Sequence, residues 1–224
     1  MRESTARELL AKVKNDYTEI AGEFDATRQG NWKDFEVFDE YLADGMKILD
    51  IGCGNGRLKE YIDGKVRAKY FGTDNNDTFI EMAKKRGDFF KVGDFLSLPY
   101  PDNEFDLVLS VAAFHHLPTR KLQLHGLAEV SRIMKPGANG VFLVWNLWQR
   151  RHVKLFFESC LRFFASFGKY CLHDFFVPWG KKTERYYYAF TKRSLRKLFA
   201  KSNLKVCELD LSPSKNNYYV VFTK

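Results

Sequence analysis

The sequence predicts an α/β protein, with one doubly wound, mostly parallel sheet carrying helices on both faces. Three observations carry that prediction. Strand-like and helix-like segments alternate between residues 47 and 146. A turn holding Gly52, Gly54 and Gly56 follows the first strand-like run. Acidic residues then recur where the next strands end, at Asp74 and Asp94. Sheets of this kind take ligands beyond the carboxyl ends of their strands, so these features share one rim.

Taken in order, KILDI (47–51) reads as a buried strand and GRLKEYID (56–63) opens a helix. KYFGTD (69–74) is the second strand. DTFIEMAKKRG (77–87) is an amphipathic helix with a basic last turn and a terminal glycine. FFKVGD (89–94) and FDLVLSV (105–111) give strands three and four. A helix over roughly 119–134 closes in a turn at MKPG (134–137), and GVFLVWN (140–146) is the fifth strand. A long irregular or helical stretch follows. Within it FFESCLRFFASFG (156–168) has the wide apolar face of a lid or core helix, and its basic flanks leave a membrane-surface helix open. SLRKLFAKSN (194–203) is the last helix. KVCELDL (205–211) and NNYYVVFTK (216–224) alternate as strands, and the short polar turn between them makes the final strand antiparallel. The organisation expected is one domain: a helical cap (1–44), a core (45–146), an insertion (147–193) and a closing helix and strand pair (194–224).

The chain has 224 residues, 45% hydrophobic and 29% charged, ordinary values for a globular domain. No apolar stretch reaches the length of a membrane span, and MRESTARELL lacks a signal-peptide core, so a cytoplasmic location without stable membrane insertion is expected. Cys53, Cys160, Cys171 and Cys207 form no C-x-x-C pair; they read as free thiols, with no metal site. The formal net charge of +8 is uneven: residues 1–149 carry −3 and residues 150–224 carry +11. Such a basic lobe fits a polyanionic partner or a solvated face, and charge alone does not choose.

The glycine turn reads G-x-G-x-G with Asp50 before it. A dinucleotide turn would read G-x-G-x-x-G, and a carboxylate beside it would repel pyrophosphate. The same carboxylate suits an ammonium or sulfonium group. Asp74, 24 residues on, can accept both hydroxyls of a ribose. Asp94 beside Phe95 suits an adenine, the acid taking the exocyclic amine and the ring packing on the base. Singly each acid is an ordinary helix cap or loop carboxylate. Together they describe a site for S-adenosylmethionine.

DIGCGNG, GTD, GDFLSLPYPDNEFDLVLSVAAFHHL and MKPGANGVFLVWN together resemble the class I S-adenosylmethionine-dependent methyltransferases, over about residues 45–146 and the closing strands. The resemblance implies an enzyme with a Rossmann-like seven-stranded sheet whose last strand is antiparallel. It implies cofactor contacts from Tyr17, Arg28, Asp50, Gly52, Gly54, Asn55, Gly56, Asp74, Asn75, Asp94, Phe95, Ser110 and His115. YTEIAGEFDATRQGNWKDF (17–35), FHHLPTR (114–120) and FFVPWGKKTERYYYAFTKRSLRKL (175–198) further resemble the tRNA wobble-uridine carboxymethyl methyltransferases. That subgroup implies tRNA as partner, reached through the basic C-terminal lobe, and a methyl ester as product. Its eukaryotic members work with a small activating subunit paired along the sheet edge; the residues leave open whether this chain uses one.

A carboxylate nucleophile is already ionised at neutral pH, so the site needs groups that orient it rather than a strong base. Arg28, His115 and His116 are the catalytic candidates; Arg28 can grip a carboxylate bidentately. One histidine can instead face the cofactor or cap the helix near Thr119. Trp32, Trp179, Arg185, Tyr186, Lys181 and Lys182 are candidates for the substrate side, where aromatics stack a base and cations take phosphates. Tyr187 is expected to be buried. Two rivals remain: a methyltransferase for a quinone-like, lipid or carboxylic acid substrate, and a non-catalytic cofactor-binding RNA partner.

Overall fold

The computed structural model describes residues 1–30 and 32–224. Five strands, β1 (Lys47–Ile51), β2 (Lys69–Asp74), β3 (Phe90–Val92), β4 (Phe105–Val111) and β5 (Met134–Trp145), run parallel. After them come β6 (Asp174–Trp179), β7 (Thr183–Tyr188), β8 (Lys205–Leu211) and β9 (Asn217–Thr223). The seven-stranded sheet has the order β3-β2-β1-β4-β5-β9-β8, with β9 inserted antiparallel between β5 and β8. This is the expected Rossmann-like topology.

Strands buried on both faces need apolar neighbours pointing both ways, which is why β1, β4 and β5 read as continuous apolar runs. Leu49, Val108 and Phe142 face one core, with Leu127, Val130 and Leu195. Their neighbours Ile48, Leu107 and Val141 face the other, with Phe35, Phe38, Leu58 and Ile62. Helices α2 (Arg57–Asp63), α3 (Asp77–Ala83), α4 (Arg120–Ile133) and α6 (Lys192–Phe199) cover the sheet. The N-terminal helix α1 (Glu3–Thr27) buries Ala6, Leu9, Val13, Asp16 and Ile20, the three-and-four spacing of one helical face. Leu9 and Val13 pack on Phe176 and Tyr186, so α1 is held by the insertion.

The insertion differs most from expectation. Residues 174–188 are neither helical nor irregular; β6 and β7 form an antiparallel hairpin, with Phe175 opposite Tyr187 and Val177 opposite Arg185. Alternation in FFVPW and ERYYY is period two, buried on both sides, so it lacks the polar positions that mark a half-exposed strand. The run at 156–168 does form a helix, α5 (Val153–Ala165), but it is no core element. Phe157, Leu161, Phe164 and Phe167 are exposed, and Ser159 is its only buried side chain. The MKPG segment is drawn into β5, with a register shift opposite Phe105–Leu107 and Gly137 at φ +78°. The last helix starts two residues early, at Lys192, because Thr191 and Ser194 form a capping box. Among the described residues no helix is long and apolar enough to cross a membrane.

Candidate active site

The turn after β1 is shaped by sterics. Gly52, Gly54 and Gly56 have φ of +76°, +54° and +78°, a region unfavourable to any residue with a Cβ. A Cβ on Gly52 would lie 2.2 Å from that of Ala113. The Gly52 and Cys53 amides donate to the Thr73 carbonyl, and the Gly54 amide donates to Asp74 Oδ2 at 3.0 Å. The turn is thus tied to β2, and its backbone opens onto a cavity of about 620 Å³ at the carboxyl rim of the sheet.

Acids line one end of this cavity. Asp50 is 1% exposed; Tyr70 donates to its Oδ2 at 2.6 Å, while Oδ1 has no partner among the described residues. Burial pushes Asp50 up to about 7, against the pull of the Tyr70 hydrogen bond. Burial likewise raises Asp74 to about 6, although the Asn76 and Gly54 amides stabilise its charge. Asp94 accepts the Leu96 and Ser97 amides and so fixes the turn that seats Phe95 against the cavity. Cys53 lines the cavity as a buried thiol whose pKa burial drives well upward, and an un-ionised thiol is no nucleophile.

Aromatics and arginines line the other end. Arg185 is 4% exposed and its Nε has no hydrogen-bond partner among the described residues. Its guanidinium carbon lies 4.7 Å from the Trp179 ring centre, 5.4 Å from Tyr187, 5.6 Å from Trp145 and 5.8 Å from Tyr17. Among the described residues it pairs with no carboxylate, and cation–π contacts help to offset its burial. Arg28, just past the end of α1, lies 5.6 Å from both Phe24 and Trp179 and, among the described residues, donates only to Thr27. Arg57 packs over Trp32 and Phe35, and burial together with repulsion from Arg28 lowers it to about 10.

His116 lines the cavity as a neutral ring. The Tyr186 carbonyl can only accept, so His116 Nδ1 carries the proton (2.8 Å) and Nε2 accepts the Tyr17 hydroxyl at 3.1 Å. The Tyr17 oxygen accepts from Tyr187, also at 3.1 Å. Burial lowers His116 to about 4, with the Arg185 charge adding to the effect.

Several expected site residues stand elsewhere. Ser110 donates to the Ile51 carbonyl and ties β4 to β1, away from the cavity. His115 is 1% exposed, accepts the Trp145 amide and does not line the cavity; the histidine pair splits, one packed inward and one facing the site. Tyr186 points the opposite way from its neighbours on β7, as strand alternation requires, and donates to Asp174. Lys182 pairs with Glu23 on the surface, and Lys181 is exposed beside it. Trp179 touches both arginines without lining the cavity and donates to Glu23. Gly56 makes room for the Phe90 ring rather than for a ligand. Asn55 lines the cavity, but its amide binds Asp25 and the Arg28 carbonyl, clamping α1 onto the turn. Tyr17, Trp32, Asn75 and Phe95 do line it. Arg57, Trp145, Asn146 and Asn217 also line it, and sequence reasoning missed them. Arg57 was legible as the residue after the glycine turn; Asn217 carried no signal, since its place depends on pairing with Trp145 across β5 and β9.

Known proteins match this arrangement. Residues 49–142 match the family model of a methyltransferase domain. Over 216 residues the chain is 31% identical to an Encephalitozoon cuniculi protein described as a methyltransferase, covering 95% of both chains. This chain belongs to the class I S-adenosylmethionine-dependent methyltransferases. It is 28% identical over 237 residues to the tRNA (carboxymethyluridine(34)-5-O)-methyltransferase of Schizosaccharomyces pombe, covering 95% of this chain and 96% of that one. The methyltransferase chain solved with the Haloferax volcanii Trm112 activator shares the fold, with a TM-score of 0.65 at 19% identity, covering 94% of this chain and 96% of that one.

The methyltransferase's own residues fit the cofactor. Asp50 Oδ1 is a buried acceptor in want of a cationic donor, and Gly54, at φ +54°, lets the turn backbone line the cavity, where a Cβ would already touch the Phe24 ring at 3.6 Å. Asp74 and the Asp94–Phe95 pair face the cavity one and two strands further out.

Proposed function

We propose that this methyltransferase esterifies the carboxylate of a carboxymethyl group on the wobble uridine of tRNA. One observation carries the reading: the Arg185 guanidinium, buried in an aromatic cage, open to the cavity and without an anionic partner among the described residues. A buried cation without a counter-ion is costly unless a ligand supplies one. A planar guanidinium matches a carboxylate bidentately. The S. pombe relative's name supports the substrate.

The remaining residues then have tasks. When bound, S-adenosylmethionine supplies an electrophilic methyl group, whose transfer to a carboxylate oxygen leaves a thioether and a neutral ester. Arg185 and Arg28 hold the acceptor carboxylate while the aromatic faces share the guanidinium charge. The oxygen is thereby oriented and keeps its nucleophilicity. His116, neutral at pH 7, takes no proton from substrate; it fixes the Tyr17 hydroxyl. No general base is required. Tyr187, Trp145 and Phe24 exclude water from the acceptor.

Exposed Arg150, Lys181, Arg193, Lys197 and Lys201, with no carboxylate partner among the described residues, offer a track for the RNA backbone. A small activating subunit would pair along the open β3 edge, where Phe89 and Val92 are 53% and 47% exposed. The protein would act in the cytoplasm. Mass spectrometry of nucleosides from tRNA incubated with protein and labelled cofactor tests the reading. Label in a uridine methyl ester is the expected result. Label confined to an organic extract, or none despite cofactor binding, overturns it.

A further inference from the structure

We propose that Asn217 and Asn146 form a base-reading pair that recognises the imide edge of uracil at the acceptor end of the cavity. The inference rests on the acceptor being a uridine, as proposed above, and adds how that base is distinguished.

Asn217 begins β9, is fully buried and lines the cavity. Its orientation is fixed by Asp34, also fully buried, which lies on the segment between α1 and β1. The Asp34 carboxylate accepts Ser212 Oγ, the Ser214 amide and hydroxyl, and Asn217 Nδ2 at 2.6 Å. Because a carboxylate accepts, the NH₂ end of Asn217 must face Asp34. The carbonyl Oδ1 is thereby turned away, and it has no partner among the described residues. An acceptor so buried and so rigidly aimed is complementary to an N–H donor.

Asn146 supplies the opposite half. It follows β5, is 9% exposed and lines the same cavity. Its backbone amide donates to the Asn216 carbonyl at 2.9 Å, which places it one step from Asn217 across the strand pair. The Trp148 amide donates to Asn146 Oδ1, so this side chain turns its Nδ2 donor outward, with no acceptor for it among the described residues. One fixed acceptor beside one fixed donor is the complement of N3–H beside a carbonyl oxygen in uracil. Cytosine presents the reverse at N3 and N4 and mismatches both. The two amides differ from Asp50 in being neutral, so they discriminate by hydrogen-bond direction and not by charge.

The test uses the full chain with anticodon stem–loop RNAs carrying 5-carboxymethyluridine, its N3-methyl derivative or 5-carboxymethylcytidine at the target position. Methyl transfer to the uridine is expected to exceed transfer to the other two by about tenfold or more. Asn146→Ala, its fold checked by unchanged cofactor affinity, should narrow that gap. Equal transfer to all three RNAs overturns the base-reading pair and leaves the methyl-ester function standing. If no RNA is methylated, the proposed function falls, and binding decides the pair. Uridine RNA binding tighter than N3-methyl RNA in the presence of S-adenosylhomocysteine keeps it; equal binding removes it. Loss of cofactor affinity in Asn217→Ser, without loss of thermal stability, would place Asn217 at the cofactor and overturn the inference.

Discussion

The two ends of the cavity are built on opposite principles. At the acid end, Asp50, Asp74 and Asp94 lie at or just past the carboxyl ends of three neighbouring parallel strands, and backbone amides and one tyrosine hold them. At the arginine end, Arg28, Arg185 and Asn217 come from α1, β7 and β9, brought together from across the whole chain. At the acid end Asp50 Oδ1 has no partner, and at the arginine end Arg185 Nε has none, among the described residues. The polarity suits a cationic methyl donor on one side and, under the proposed function, an anionic acceptor on the other.

The sharpest way to break the comparison is at Arg185. Arg185→Ala should lower methyl transfer about 100-fold or more, with cofactor affinity changed less than about threefold. Steady-state rates and calorimetry check both halves, and Arg185→Lys should restore only part, because an ammonium has no bidentate fork. Asp50→Asn should do the converse. Tyr70 can still donate to the amide oxygen, so the fold survives while cofactor affinity falls about 10- to 100-fold. RNA binding, read by gel shift, should stay level.

The pH dependence sharpens the contrast further. Asp50 must shed its proton to meet a cation, so cofactor affinity should fall up to about tenfold per pH unit below about 7. Asp74 adds to the loss below about 6. In the cofactor-free protein both carboxyls hold protons more tightly folded than unfolded. Their contribution to stability is therefore full below about pH 4 and lost as pH rises through 6 and 7, which thermal melts should register. His116, lowered to about 4, stays neutral in the folded protein between pH 5 and 8 and adds no step to cofactor binding there; in melts it opposes the two acids, because its contribution to stability is full above about 6.5 and lost as pH falls toward 4. The smallest effect expected is Tyr17→Phe. It removes one hydroxyl from the Tyr187–Tyr17–His116 chain and should slow transfer about threefold to tenfold without altering cofactor affinity.

The same division explains what the sequence disclosed. Asp50, Asp74 and Phe95 were legible because each lies within a few residues of a turn whose local chemistry demands it. Seven strands and the antiparallel β9 were legible from apolar runs and a polar hairpin turn. The β6–β7 hairpin was not, because its aromatics are buried on both sides and hide their period. His115 and His116 could not be separated from sequence, since a 3₁₀ turn of three residues decides which ring faces the cavity. Ser110 was misplaced by one strand face, a parity that adjacent residues in one apolar run do not reveal. Arg185 was visible as a cation among aromatics, but its want of an anion depends on packing against Tyr17, 168 positions earlier.

Asp34 lies near the start of the molecule, yet the groups that satisfy it are Ser212, Ser214 and Asn217. During synthesis on the ribosome, the strands bearing the three acids emerge well before those residues do. A nascent chain can therefore organise its donor pocket while its acceptor pocket is still missing a wall. That wall is completed only when β9 pairs beside β5.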